Sequence, residues 1–329
     1  MRFYIPLFLF SFLFLSGPIV LAQDDDIITV DTSIVRVNVG VVNRFGQPIT
    51  NLNKSDFSIF EDGVKQKILR LEPTVAPFSV VMILDMSGST LGFRQTIKTS
   101  AHRFIDALAP EDRVSIIEFY DKVNVLNDFS SNRKTLYHSI DVANGRGKTQ
   151  LYKALDLSLE KLSNENNRRK AIIVLTDGVD TETRNQDRTI LAKLDDSQMK
   201  DAINPENNPI LTRILNKADA QGVTVYPLAL PTGDPAKLAD PLPIQIEMFS
   251  VARSRLKILA ERTGGTLNAI NRLEEMGRLY AQVAADVRSL YTIEYEPINE
   301  KRDGKWREIK IEVKNPELIS RTRPGYFAK

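Results

Sequence analysis

The stretch Asp85-Met86-Ser87-Gly88-Ser89 follows directly on the apolar run Val80–Leu84 and sets three side-chain oxygens at alternate positions. Gly88 lets such a loop turn tightly enough for Asp85, Ser87 and Ser89 to face one point. By itself the segment reads first as a helix N-terminal turn, because Asp and Ser are preferred capping residues. Two distant residues change that balance. Asp177 ends a second apolar run, "AIIVLTD", and Thr149 stands at the head of "QLYKAL". Two carboxylates aimed at one crevice repel unless a cation lies between them or one is protonated. Hydroxyls fill the remaining positions, and no sulfur or imidazole is nearby. That donor set describes a hard cation held by oxygen, Mg2+ first, with Mn2+ or Ca2+ as substitutes.

A competing chemistry is offered by "GRGKT", Gly145–Thr149, which has the look of a phosphate-binding loop. The phosphate-loop pattern needs a glycine five positions before Gly147, and Val142 stands there. The segment also comes off a helical pattern rather than an apolar strand. No nucleotide is expected, and Thr149 is better explained as a hydroxyl brought over the metal. Lys148 reads as a solvated rim charge. Enzymatic readings fare no better. "DMSGS" is not G-x-S-x-G, since Asp85 takes the first glycine's place. The chain has no cysteine and only two histidines, His102 and His138, each inside an amphipathic helix pattern. No general base can be named beside the cation.

The elements that must position these oxygens alternate in kind. "FSVVMILD" (78–85), "RVSIIEFYD" (113–121), "KVNVLNDFS" (122–130), "KAIIVLTD" (170–177), "VTVYPLAL" (223–230) and "TLNAI" (266–270) read as strands. Between and after them, 93–110, 131–142, 150–164, 208–222, 250–265 and 272–290 carry helical periodicity. Buried strands alternating with amphipathic helices predict an α/β domain, doubly wound around a mainly parallel sheet, in which ligands bind beyond the carboxyl ends of the strands. Ahead of it Val35, Val37, Val39 and Val41 alternate with polar residues, and Asp62-Gly63 signals a hairpin. After it "YTIEYEP", "WREIKIEVKN" and "LISRTRPGYFA" return to strand patterns, so the flanks are expected to meet in a small β unit.

Together "DMSGS", "TQLYKAL" and "IIVLTDG" resemble the three parts of the metal-ion-dependent adhesion site of von Willebrand factor type A domains, over about residues 77–290. The resemblance implies a Rossmann-like fold with Asp85, Ser87, Ser89, Thr149 and Asp177 as the metal-site residues. It also implies a cation whose shell is completed by an Asp or Glu of a protein or matrix partner. The flanks, "DFSIFEDGVKQKI" and "YTIEYEP…WREIKIEVKN…RPGYFA", are similar to a group of exported bacterial von Willebrand A-related proteins. The expected function is therefore adhesive binding, not catalysis. The alternatives are a metal-independent structural or envelope-assembly subunit, or a metal-dependent hydrolase.

The first residues bear on location. Arg2, an apolar core Phe3–Leu15, the break Gly17-Pro18 and Val20-Leu21-Ala22 before an acidic start describe a cleaved signal peptide over 1–22, so the protein is expected in the periplasm or secreted. The expected organisation is 1–22 signal peptide, 24–76 N-terminal β segment, 77–290 von Willebrand A domain, and 291–329 C-terminal β strands packed with 24–76. No later run is apolar enough to span a bilayer. A formal charge of +2 in 329 residues gives no bulk affinity for nucleic acid. Two long segments, 178–208 after Asp177 and 231–248 after "VTVYPLAL", are expected as rim insertions around the crevice. The acids of the first, Asp180, Glu182, Asp187, Asp195 and Asp196, lack the spacing of a calcium loop and read as a solvated face.

Overall fold

The computed structural model describes residues 34–73, 77–165, 168–234, 236 and 239–328. The expected signal peptide and the first residues of the N-terminal β segment lie outside the described residues. A six-stranded sheet forms the centre, made of β5 (Phe78–Asp85), β6 (Arg113–Phe119), β7 (Val123–Ser130), β8 (Arg169–Thr176), β9 (Val223–Ala229) and β10 (Asn268–Ala269). Its spatial order is β10-β9-β8-β5-β6-β7. All neighbours run parallel except the edge pair β6 and β7.

Every residue of β5 is buried, as a strand covered on both faces requires. Alternation sends Val80, Met82 and Leu84 to one side and Val81 and Ile83 to the other. The first side is covered by α1 (Arg94–Asp106), α2 (Arg133–Val142) and α8 (Met276–Ser289), through Ile97, Phe104, Leu136, Ile140 and Tyr280. The second is covered by α3 (Leu151–Ser163), α6 (Pro209–Gln221) and α7 (Pro243–Arg262), through Leu155, Leu159, Ile214 and Leu256. The doubly wound expectation is met.

The flanking strands pair across the length of the chain. β1 (Val35–Val42), β4 (Ile68–Glu72), β11 (Tyr291–Tyr295) and β13 (Ile319–Thr322) make one antiparallel sheet, in the order β13-β1-β11-β4. β2 (Phe57–Glu61), β3 (Val64–Gln66), β12 (Trp306–Val313) and β14 (Gly325–Phe327) make another, in the order β14-β12-β2-β3. Between β2 and β3 both Asp62 and Gly63 take positive φ, 48° and 78°, as a tight hairpin with the twist of its strands demands. Val37, Val39, Ile59, Ile293, Tyr295 and Ile311 fill the space between the two sheets. This sandwich is fastened to the α/β layers by polar contacts. Asn38 Nδ2 donates to Gly222 O at 3.0 Å, and Arg323 donates to Asp219 O at 2.6 Å. The Arg262 guanidinium lies 4.2 Å over the Trp306 ring.

The two rim segments differ from expectation. Residues 178–208 are not an open loop: they fold into α4 (Thr181–Leu191) and the short α5 (Asp196–Met199), with a small core of Leu191, Met199, Ile203 and Val251. The second segment ends inside α7, which begins at Pro243, seven residues before the expected start at Ser250. Among the described residues no helix is long and apolar enough to cross a membrane.

Candidate functional site: two carboxylates at the switch point of the sheet

Strand order reverses between β5 and β8. From β5 the chain passes to β6 on one side, and from β8 to β9 on the other. A crevice opens where two such connections diverge, beyond the carboxyl ends of the strands. The parallel register Leu84↔Leu175 brings the ends of β5 and β8 level, so Asp85 and the pair Thr176-Asp177 emerge side by side. Sheet topology alone therefore juxtaposes two carboxylates that are 92 positions apart.

Hydrogen bonds fix the rest. Asp85 accepts from Ser87 N at 2.9 Å through Oδ1 and from the Thr176 hydroxyl at 2.9 Å through Oδ2. The Ser87 and Ser89 hydroxyls lie 3.1 Å apart, and Ser89 also hydrogen-bonds the Asp177 carboxylate. Asp177 Oδ1 accepts from Val179 N at 3.1 Å. Asp85, Ser87, Ser89 and Asp177 thus form one connected cluster. Thr149 sits on the neighbouring loop, which is joined to the Ser87–Ser89 turn by Gly88 N donating to Gly147 O at 3.2 Å. Thr149 itself is held through its backbone: its N–H donates to the Thr181 hydroxyl at 3.0 Å, and its carbonyl accepts from Thr181 N at 3.0 Å.

Asp85 is fully buried, and Asp177 and Thr149 are 6% and 8% exposed. Burial pushes the Asp85 carboxyl up to about 7, and the nearby Asp177 charge pushes in the same direction against the hydrogen bonds from Ser87 and Thr176. Asp177 is likewise raised, by burial first, while Val179 N–H and Ser89 pull it down. Two buried acids that resist ionising together form a site short of positive charge. Two guanidiniums act on the pair without bonding to it: Arg184 lowers the Asp177 pKa by its charge, and Arg94 spends its donors on Met86 O at 2.9 Å, on Asn144 Oδ1 at 2.6 Å and on Gly145 O. Among the described residues no cluster of three or more His, Cys, Asp and Glu side chains forms, so the donors here are carboxylates and hydroxyls only. All-oxygen donors with two acids fit a hard divalent cation.

The glycines of "GRGKT" have a packing reason. A Cβ at Gly145 would fall 2.4 Å from the Tyr120 ring, and one at Gly147, whose φ is +94°, would fall 2.4 Å from the Asp121 carboxylate. They let the loop lie against the residues that follow β6. Asp121 accepts from Lys148 N at 2.8 Å, and the Lys148 side chain is exposed, as expected.

Some contributors escape sequence inspection. The Thr90 hydroxyl donates to Asp85 O at 2.9 Å and Ser87 O at 3.0 Å, bracing the turn from beneath. Its only sequence signal is a hydroxyl three residues after Ser87. Arg94 ties the same turn to the Thr149 loop and carries no local signal at all. The acidic rim also needs correcting. Glu182, Asp195 and Asp196 are exposed, but Asp180 and Asp187 are buried. Asp180 caps α4 by accepting from Glu182 N at 3.0 Å and Thr183 N at 3.2 Å, and Asp187 is paired with Arg255. Neither histidine belongs to the site: His102 Nε2 lies 3.1 Å from Asp141, and His138 is exposed on α2.

One loop supports the site from behind. A Cβ on Gly233 would fall 2.1 Å from Asp177 O, a backbone atom that cannot swing aside. Gly233→Ala is therefore expected to displace the Asp177 peptide and weaken divalent-cation affinity at least about tenfold, since a misplacement of about 1 Å in a preorganised site is costly. Cation titration by calorimetry, with circular dichroism to confirm folding, checks this; an unchanged affinity contradicts it.

Residues 80–179, which include Asp85, Ser87, Ser89, Thr149 and Asp177, match the family model of the von Willebrand factor type A domain. The six-stranded mixed sheet with its helices is a von Willebrand factor type A fold, to which the N- and C-terminal strands add antiparallel sheets. Similar solved structures include the von Willebrand domain of the type V pilus tip protein Mfa5 from Porphyromonas gingivalis, at 14% identity and a TM-score of 0.47, covering 64% of this chain and 95% of that one. A von Willebrand factor type A structure from Catenulispora acidiphila is 12% identical with a TM-score of 0.48, covering 91% of this chain and 64% of that one. The pilus adhesin SpaC from Lactobacillus rhamnosus GG is 12% identical with a TM-score of 0.47, covering 85% of this chain and 48% of that one. No curated protein matches the chain.

Proposed function

We propose that this is an exported binding protein that captures a protein or matrix partner through a divalent cation held by Asp85, Ser87, Ser89, Thr149 and Asp177. The carrying observation is the pair of buried carboxylates at the switch point, surrounded by hydroxyls and, among the described residues, without an ion pair to either acid. When bound, the cation supplies the missing charge and a coordination position for a partner's Asp or Glu. The protein's own residues do the positioning. Thr176 and the Ser87 amide orient Asp85, Ser89 steadies Asp177, and Thr181 and Arg94 hold the Thr149 loop against the turn. Export rests on the signal-like residues 1–22, which lie outside the described residues.

Binding is favoured over hydrolysis because this reading commits both acids of the cluster to the cation, and neither histidine faces it. Ser87 meets Ser89, and the two histidines are engaged or exposed elsewhere. It is favoured over a purely structural role because a structural role gives no reason to bury two acids together, which costs stability when the cation is absent. The test is recovery of partners from envelope and medium fractions with Mg2+, with excess EDTA, and with Asp85→Ala. A partner recovered only by the native protein with the cation is expected. Recovery indifferent to EDTA and to the substitution sinks the proposal.

A further inference from the structure

We infer that the partner presents an acidic peptide segment, with a second carboxylate engaging a basic groove next to the metal site. This rests on the binding function proposed above. A groove of about 680 Å³ opens beside Thr149, between the starts of α3, α4 and α6. Thr149 lies in its wall with Lys148, Lys153, Glu182, Ile210 and Arg213, so the groove runs directly on from the cation position.

Its charge is unevenly balanced. Lys148 and Lys153 are exposed, and neither has an ion-pair partner among the described residues. Arg213 is 3.0 Å from Asp156, a carboxylate it shares with Lys217. Of the two acids in the lining, Asp180 is buried and occupied by the backbone N–H groups of α4, which leaves Glu182 as the exposed acid. Free lysines next to a site that takes a carboxylate favour a ligand carrying a run of acids. The remaining wall mixes apolar Pro209 and Ile210 with the amides Gln150 and Asn185, which can pair with the backbone of a peptide. The groove has two free cations rather than the long basic stripe a polyanion follows, so a peptide is favoured over a sulfated glycan.

Two short fluorescent peptides test this in saturating Mn2+: one with a single Asp among Gly, Ser and Ala, the other with the same Asp followed by Glu residues. The native protein is expected to bind the acidic peptide about tenfold more tightly at low salt, and to lose that preference at high salt. In K148Q/K153Q the preference is expected to vanish, while Mn2+ affinity by calorimetry stays native. Equal binding of the two peptides, binding of neither with Mn2+ bound, a preference that survives in K148Q/K153Q, or tighter binding of a sulfated oligosaccharide overturns the groove assignment. Failure of Mn2+ to bind the native protein instead removes the metal site itself, so the two failures are distinct.

Discussion

Asp85→Asn is expected to abolish the response to divalent cations and, in their absence at neutral pH, to make the protein more stable. The side chain keeps its size, and its oxygen can still accept from Ser87 N, so the turn is preserved. Removing one charge of a buried set costs about 3 kcal/mol or more of interaction, which corresponds to at least about a hundredfold loss of cation affinity. The same change relieves the native, cation-free protein of one of two buried acids. Asp85 has its folded-state pKa raised from 3.8 to about 7, so the folded state holds that proton more tightly than the unfolded one. Stability from this group is fully present below about pH 4 and is lost as pH rises through 7, on the order of 4 kcal/mol in total. Three results follow together. Cation-free native protein loses thermal stability between pH 5 and 8, saturating Mg2+ restores it, and binding at pH 6 releases protons. Asp85→Asn shows a much flatter profile with or without Mg2+. Thermal scans at two pH values, with calorimetry in buffers of different ionisation enthalpy, measure all of this. A native profile that climbs with pH in EDTA contradicts it.

The second large effect lies in the rim. Asp187 on α4 and Arg255 on α7 form a two-pronged pair at 2.6 and 2.8 Å, and both residues are about 95% buried, with 4% and 5% exposure. Asp187→Ala leaves the guanidinium buried and unpaired, at an expected cost of about 3–5 kcal/mol. The double replacement D187L/R255M exchanges the pair for apolar side chains and is expected to recover most of that loss, because a buried pair gains little over well-packed hydrophobes. The damage should reach the site. Thr181, the first residue of α4, accepts from Thr149 N through its hydroxyl and donates its N–H to Thr149 O, so loosening α4 frees the Thr149 loop. Asp187→Ala is expected to weaken cation affinity as well as stability, whereas D187L/R255M restores both. Urea titration and cation titration of the three proteins decide it; a single-variant loss below about 1 kcal/mol shows the pair is not closing the rim.

These two regions differ in how far the sequence reveals them. The positions of Asp85 and Asp177 are legible because each follows an apolar run of strand length, rich in β-branched residues, as a strand buried on both faces does. That Ser87 and Ser89 join the two acids in one cluster is legible too, because alternate positions after Asp85 can turn toward one point around Gly88. Doubly wound layering followed from the helix periodicities. The rim did not follow: 178–208 offers only Leu191, Met199 and Ile203 as apolar anchors, and its core is completed by Val251 from a distant helix. A cap signal was present at Asp180, three residues before Thr183, yet it was masked by the surrounding acids. Asp187 read as solvated because its partner stands 68 positions away, and pairings at that range belong to the tertiary fold. The division of the flanks into two sheets was hidden for the same reason, since β1 takes β11 and β13 as neighbours while β2 takes β12. Arg94 illustrates the limit most simply. A helix-surface arginine has no sequence mark distinguishing it from a guanidinium that staples two loops together.

Anomalous diffraction from a crystal grown in Mn2+ tests the central claim most directly. The account predicts one strong peak at the carboxyl ends of β5 and β8, within about 2.0–2.6 Å of oxygens from Ser87 and Ser89, with Asp85, Asp177 and Thr149 reaching it directly or through one water. A peak elsewhere on the molecule, or none while those side chains keep the arrangement described here, would contradict it.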